Sequence, residues 1–174
     1  AASFATVTWL IIEWIRARKP KFIGLLTGAV AGLATITPAA GFVPLWAAAL
    51  MGIMAGLVCY YAVSLKNKLG WDDALDVWGV HGVGGVLGTI LLGVFASSAI
   101  NPMITTQGVI YGEWSFFFKQ LVAVAGASAY AFIFTYVMLA LINKITPVRV
   151  SESDEMLGLD NVIHGEQAYD SGSM

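Results

Sequence analysis

Of 174 residues, 58% are hydrophobic and only 11% charged, against roughly 25% charged in an ordinary soluble domain. A mean hydropathy of +0.78 makes this the composition of a membrane protein, and a net charge of -2 without a basic patch excludes a nucleic-acid partner. Cys59 is the single cysteine, which excludes an internal disulfide and a cysteine-built metal site.

The chain opens at Ala1 already inside an apolar run, without Met or a basic leading segment, and reads as a fragment of a longer chain or a processed product. Residues 1–15 are apolar except for Glu13 and small hydroxyl residues, and they lead into Trp14, Arg16, Arg18, Lys19 and Lys21. That order predicts the last part of a spanning helix with its Trp at the headgroups and a basic cluster beyond. Glu13 is expected to pair with Arg16 or Arg18 at that interface.

A second span is predicted over 22–37, where Gly24, Gly28 and Gly32 recur every four residues and allow close helix approach. Pro38 and Gly41 then break the helix. The break is either an ordinary outside loop or irregular backbone that lines a water-accessible cavity, to which Thr37 would contribute.

A third span covers 45–65, with Gly52 and Gly56 on one face, Tyr60 and Tyr61 near its far end, and Lys66 and Lys68 beyond. The fourth is predicted over 74–96. Residues 97–115 form a polar outside connection whose one charge is Glu113, and the fifth span covers 116–142. With alternating spans, eight of the nine Lys and Arg residues fall on one side and Lys119 alone on the other. The positive-inside rule therefore puts Ala1 outside and the C-terminus in the cytoplasm. Residues 1–149 read as the transmembrane part and 150–174 as an acidic cytoplasmic tail, either mobile or docked on the inner loops. The fold class is all-α, with about five transmembrane helices.

No phosphate-binding glycine loop, zinc-protease motif or hydrolase elbow occurs, so the residues point to no enzyme and imply no cofactor. The chemistry concentrates in the fourth span. Asp72 or Asp73 is expected to cap its amino end, with Asp76 in the first turn. Eight residues separate Asp73 from His81, about 12 Å of helix, or roughly halfway through a hydrocarbon core of about 30 Å. An ionisable group at that depth is a functional candidate by default.

The residues themselves leave three readings of His81: a structural hydrogen-bond donor, an axial ligand to haem or a metal in an electron-transfer or anchor subunit, or a polar contact lining a conduction path. Gly79, Gly82 and Gly85 would keep the surface beside it slim. Trp78, three residues earlier, shares its side and either covers the site or packs. Asp76 lies about 1.4 turns away, about 7.5 Å nearer the cytoplasm, as a loop anchor or as a carboxylate that raises local affinity for a cation.

Three long motifs carry a resemblance: Gly32-Leu33 followed by Ile36-Thr37-Pro38-Ala39-Ala40-Gly41; Asp72-Asp73 with Asp76-Val77-Trp78-Gly79-Val80-His81-Gly82-Val83-Gly84-Gly85; and Gly158-Leu159-Asp160 with His164-Gly165-Glu166-Gln167-Ala168-Tyr169. In these the chain resembles the second half of the ammonium transporter family, the bacterial and archaeal branch of the ammonium transporter and Rhesus proteins. The resemblance implies the last five of eleven spans in an inverted-repeat fold, the first of them truncated, and a homotrimer with one pore per subunit. It implies that His81 is the second of twin pore histidines, that Asp76 matches an acid of the same helix, and that Thr37 belongs to the outer pore. The partner histidine and the outer gate would lie in the missing N-terminal half of the same transporter. Ammonium would be recruited and deprotonated and would cross as ammonia. The tail would couple subunits, and a PII-type signalling protein is a candidate partner at the cytoplasmic face.

Overall fold

The computed structural model describes residues 1–167, and every regular element among them is helical. Four helical stretches are long and apolar enough to cross a membrane: Phe22–Ala39, Leu45–Lys68, Trp78–Phe95 and Trp114–Ile142. Ahead of them lies α1, Ala2–Ala17, which stops at Arg18 in the left-handed region. Helix α2 is Phe22–Ile36 and ends in a 3-10 turn over Thr37–Ala39, where Pro38 removes a backbone donor. Helix α3 is Leu45–Lys68, three residues longer than the apolar run predicts, and Lys66 in its last turn is buried.

The glycines of α2 face α1. A Cβ at Gly28 would meet the Trp9 side chain, and one at Gly32 would meet Ala2 and Ala5, so the small face expected every four residues is the α1–α2 seam. Gly52 and Gly56 of α3 abut α1 in the same way. Two apolar clusters result. Trp9, Ala31, Cys59, Val63 and Val80 fill one; Ala39, Val43, Ala47, Met51 and Leu91 fill the other.

Glu13 does not serve as the expected ion-pair member. Its carboxylate accepts from the Lys21 backbone N–H at 3.0 Å, where the amino end of α2 begins and an anion is favoured. Arg16 lies instead over the Tyr61 ring, 5.4 Å from its centroid.

The fourth span starts later than predicted. Residues 71–76 form no regular helix, a π-helical turn covers Trp78–Gly82, and α4 continues over Val83–Phe95. Asp76, expected in the first helical turn, sits outside the helix at φ 56°. The connection over 97–113 is ordered by hydrogen bonds: Ser97 N–H donates to Phe42 O, Gly108 N–H to Ala96 O, and Gln107 N–H to the Glu113 carboxylate. Helix α5, Trp114–Ile142, follows.

The chain divides into two compact units, 1–127 and 128–174, with the boundary inside α5. In the second unit Arg149 forks onto Glu155 at 2.9 and 3.1 Å, and Ser151 caps a short helix α6, Glu152–Leu157. A second π-helical turn covers Asp160–His164. Ala168 and Tyr169 of the third motif lie outside the described residues.

Candidate functional site

The segment that leads to His81 is a hook built from polar contacts. Both oxygens of the Asp73 carboxylate accept backbone N–H groups, from Val77 and from Trp78, each at 2.9 Å. Asp73 is thus the cap, as expected of Asp72 or Asp73, but it caps a helix that starts four to five residues on. Asp76 Oδ1 takes the Lys66 ammonium at 2.6 Å, and the Asp73 carbonyl takes the same ammonium at 2.6 Å. The Asp76 carbonyl then accepts from Val80 N–H at 2.9 Å. Aspartate tolerates the left-handed region better than most residues, and here the ion pair holds it there.

His81 is the fourth residue of the helical stretch, so the helix itself supplies only about 5 Å of the expected depth. Packing against α3 then sets its level along that helix. A Cβ at Gly79 would meet Val63, and one at Gly84 would meet Cys59 and Thr35. His81 therefore lies level with Tyr60–Ala62 of α3, about 10 Å from the Lys68 end of a helix about 36 Å long.

Gly79, Val80 and Gly84 are buried, while His81 and Gly82 are exposed. The imidazole thus belongs to the open face of a helix whose opposite face is packed. Trp78 rests edge-on against Trp71 with centroids 5.0 Å apart, and its ring lies 3.7 Å from where a Gly82 Cβ would be. It packs on Trp71 and borders Gly82, the residue after the histidine. A Cβ at Gly88 would strike the Thr35 carbonyl and meet Pro38, which puts the Thr37 turn about two helical turns, or about 10 Å, beyond His81. The Thr37 hydroxyl is exposed and donates to Leu33 O at 2.6 Å, leaving its oxygen free to accept. Asp76 is a loop anchor already neutralised by Lys66. His164 is in the turn of the second unit. Among the described residues no three His, Cys, Asp or Glu side chains gather in a metal-binding group.

The model of the Ammonium Transporter Family matches residues 1–169. The chain belongs to that family. Over 97% of its length it is 45% identical to an ammonium transporter of Bacillus subtilis and 40% identical to the ammonium transporter Amt1 of Archaeoglobus fulgidus, covering 42% of each. Its fold is similar to the crystal structure of Saccharomyces cerevisiae Mep2, with TM-score 0.82 and 37% identity, over 87% of this chain and 35% of that one. The chain thus spans about two fifths of the length of these relatives. As a member of the Ammonium Transporter Family with four candidate spans it is a multi-pass membrane protein.

Within this family member, Lys66 and the π turn escape a sequence reading. Lys66 counts there only as a basic residue at a helix end. A signal existed in the three aspartates within five residues, which need a cation or backbone donors once they leave water.

Proposed function

We propose that this chain forms one wall of a pore for ammonium and ammonia in the cytoplasmic membrane, with His81 as the imidazole it contributes. The observation that carries the proposal is the exposure of His81 on a helix whose glycine face is otherwise packed. A core histidine would be enclosed by its own chain, whereas this one faces outward from a transporter-family fold.

The chemistry favours the neutral molecule. An ammonium ion that enters an apolar bore loses its hydration at a cost one imidazole does not return, whereas ammonia crosses without that penalty. In this reading ammonium is recruited at the mouth and gives up its proton, and ammonia passes His81 and a second histidine from the N-terminal half of the same transporter. Thr37 lies toward the outer mouth, Trp78 flanks the imidazole, and Asp76 holds the inner loop.

The charge rule puts Ala1 outside and the C-terminus in the cytoplasm, and the family resemblance supports three copies assembled into a trimer. The tail from Ser151 onward couples the copies, and a PII-type signalling protein closes the pore from the cytoplasm. A structural relative at 26% identity, with TM-score 0.79, is a Sensor Amt Protein. The test is His81→Ala in liposomes containing the full transporter: ammonium-driven transport should fall or lose selectivity, and an unchanged rate and selectivity would overturn the proposal.

A further inference from the structure

Lys66 has the environment of a structural cation rather than of a membrane-surface lysine. It is 5% exposed although it occupies the last turn of α3, while Lys68 in the same turn is exposed. A lysine at the end of a spanning helix ordinarily extends its ammonium toward water. This one turns inward and accepts the cost of desolvation, which only good partners offset. Its partners are the Asp76 carboxylate and the Asp73 carbonyl, each at 2.6 Å.

Both partners belong to the hook that starts the histidine helix. The Asp73 carboxylate fixes the N–H groups of Val77 and Trp78, and the Asp76 carbonyl receives Val80 N–H. The backbone then closes a π turn, with Val83 N–H donating to Trp78 O. Such a turn holds one residue more than an α-helical turn. Converting it to α-helix would rotate the preceding residues by about 100° relative to α4. The direction in which His81 points is therefore set by whether the hook holds.

We infer that Lys66 is a positioning residue for His81: its ammonium clamps Asp73 and Asp76 so that the π turn keeps the imidazole on the open face. The inference rests on the pore reading of His81 for its functional consequence, while the clamp itself can be tested apart from transport.

The experiment uses the full transporter in lipid, with Lys66→Met and Lys66→Arg. Lys66→Met should raise deuterium uptake in the peptide covering 77–83 while leaving peptides from α1 and α2 unchanged. It should lower transport about tenfold, the equivalent of one lost charge-assisted hydrogen bond. Lys66→Arg, which keeps the charge and donors for both acceptors, should restore protection and most of the transport. If Lys66→Met does not fold, Lys66→Met with Asp76→Asn removes both charges and takes its place, since it leaves no unpaired ion. Unchanged exchange over 77–83, or full transport by the Met variant beside an impaired His81→Ala, would overturn the inference alone. Full transport by His81→Ala with faster exchange in Lys66→Met would overturn the pore reading and leave the clamp standing.

Discussion

Gly88 shows how little room the helix pair allows beside the candidate site. Any Cβ there would strike the Thr35 carbonyl, which belongs to backbone and cannot swing away, and would meet the Pro38 ring. Gly88→Ala is therefore expected to destabilise the protein by about 1–3 kcal/mol, the usual cost of forcing extra volume into a packed seam. Thermal unfolding in detergent would read this as a lower midpoint. Gly85 makes a control, because a Cβ there meets nothing within 4 Å; Gly85→Ala should leave the midpoint near the parent value. The pair of variants separates two glycines of one helix by function: Gly88 permits contact with α2, whereas Gly85 keeps the face beside His81 slim.

At the scale of elements, the helix ends carry the polar chemistry. Glu13 is 8% exposed and hands its carboxylate to the amino end of α2, a cap supplied by the preceding helix rather than by the local sequence. Removing it in Glu13→Ala leaves the Lys21 N–H without its acceptor, at an expected cost of about 1–2 kcal/mol. Glu13→Gln retains an acceptor and should cost less, so unfolding midpoints should fall in the order parent, Gln, Ala. A pairing with Arg16 or Arg18 as the main role of Glu13 would instead make the Gln and Ala variants equal. The hook that leads into the π turn repeats the theme at the same end of the bundle, where α3 passes into α4. There the caps are Asp73 and the Lys66–Asp76 pair, and their product is the direction of an imidazole rather than the stability of a helix alone.

At the scale of the whole molecule, the charge asymmetry of the sequence makes a claim about topology. The orientation proposed from the charge rule, with the C-terminus in the cytoplasm, requires Met103 and Met156 to face opposite sides of the membrane. Both are strongly exposed, at 89% and 87%, while the native Cys59 is fully buried. Single cysteines placed at 103 or 156 in a full transporter whose cysteines outside this chain are replaced should therefore react while buried Cys59 stays silent. An impermeant thiol reagent added to intact cells is expected to label Met103→Cys, and Met156→Cys only after permeabilisation. The reverse pattern would invert the orientation drawn from Lys and Arg.

The sequence by itself determined the class of molecule, because hydropathy is a local sum that needs no partner. It placed the four long spans to within a few residues, the helix break at Pro38, the small face of α2, and a family resemblance that the family match bears out. It also singled out His81, since one imidazole in a long apolar run is visible without coordinates. The tertiary structure alone decided what the charged residues touch. Asp76 reads as a first-turn carboxylate only while the helix is assumed to begin at residue 74. Its left-handed backbone, the delayed helix and the π turn accompany an ion pair to Lys66, ten residues back across a helix end. Such a contact is set by how α3 and the hook fold against each other, which no local pattern along either segment contains. The same reason sets the level of His81 along α3: it is fixed by Gly79 against Val63 and Gly84 against Cys59, contacts between helices that no periodicity along one of them contains.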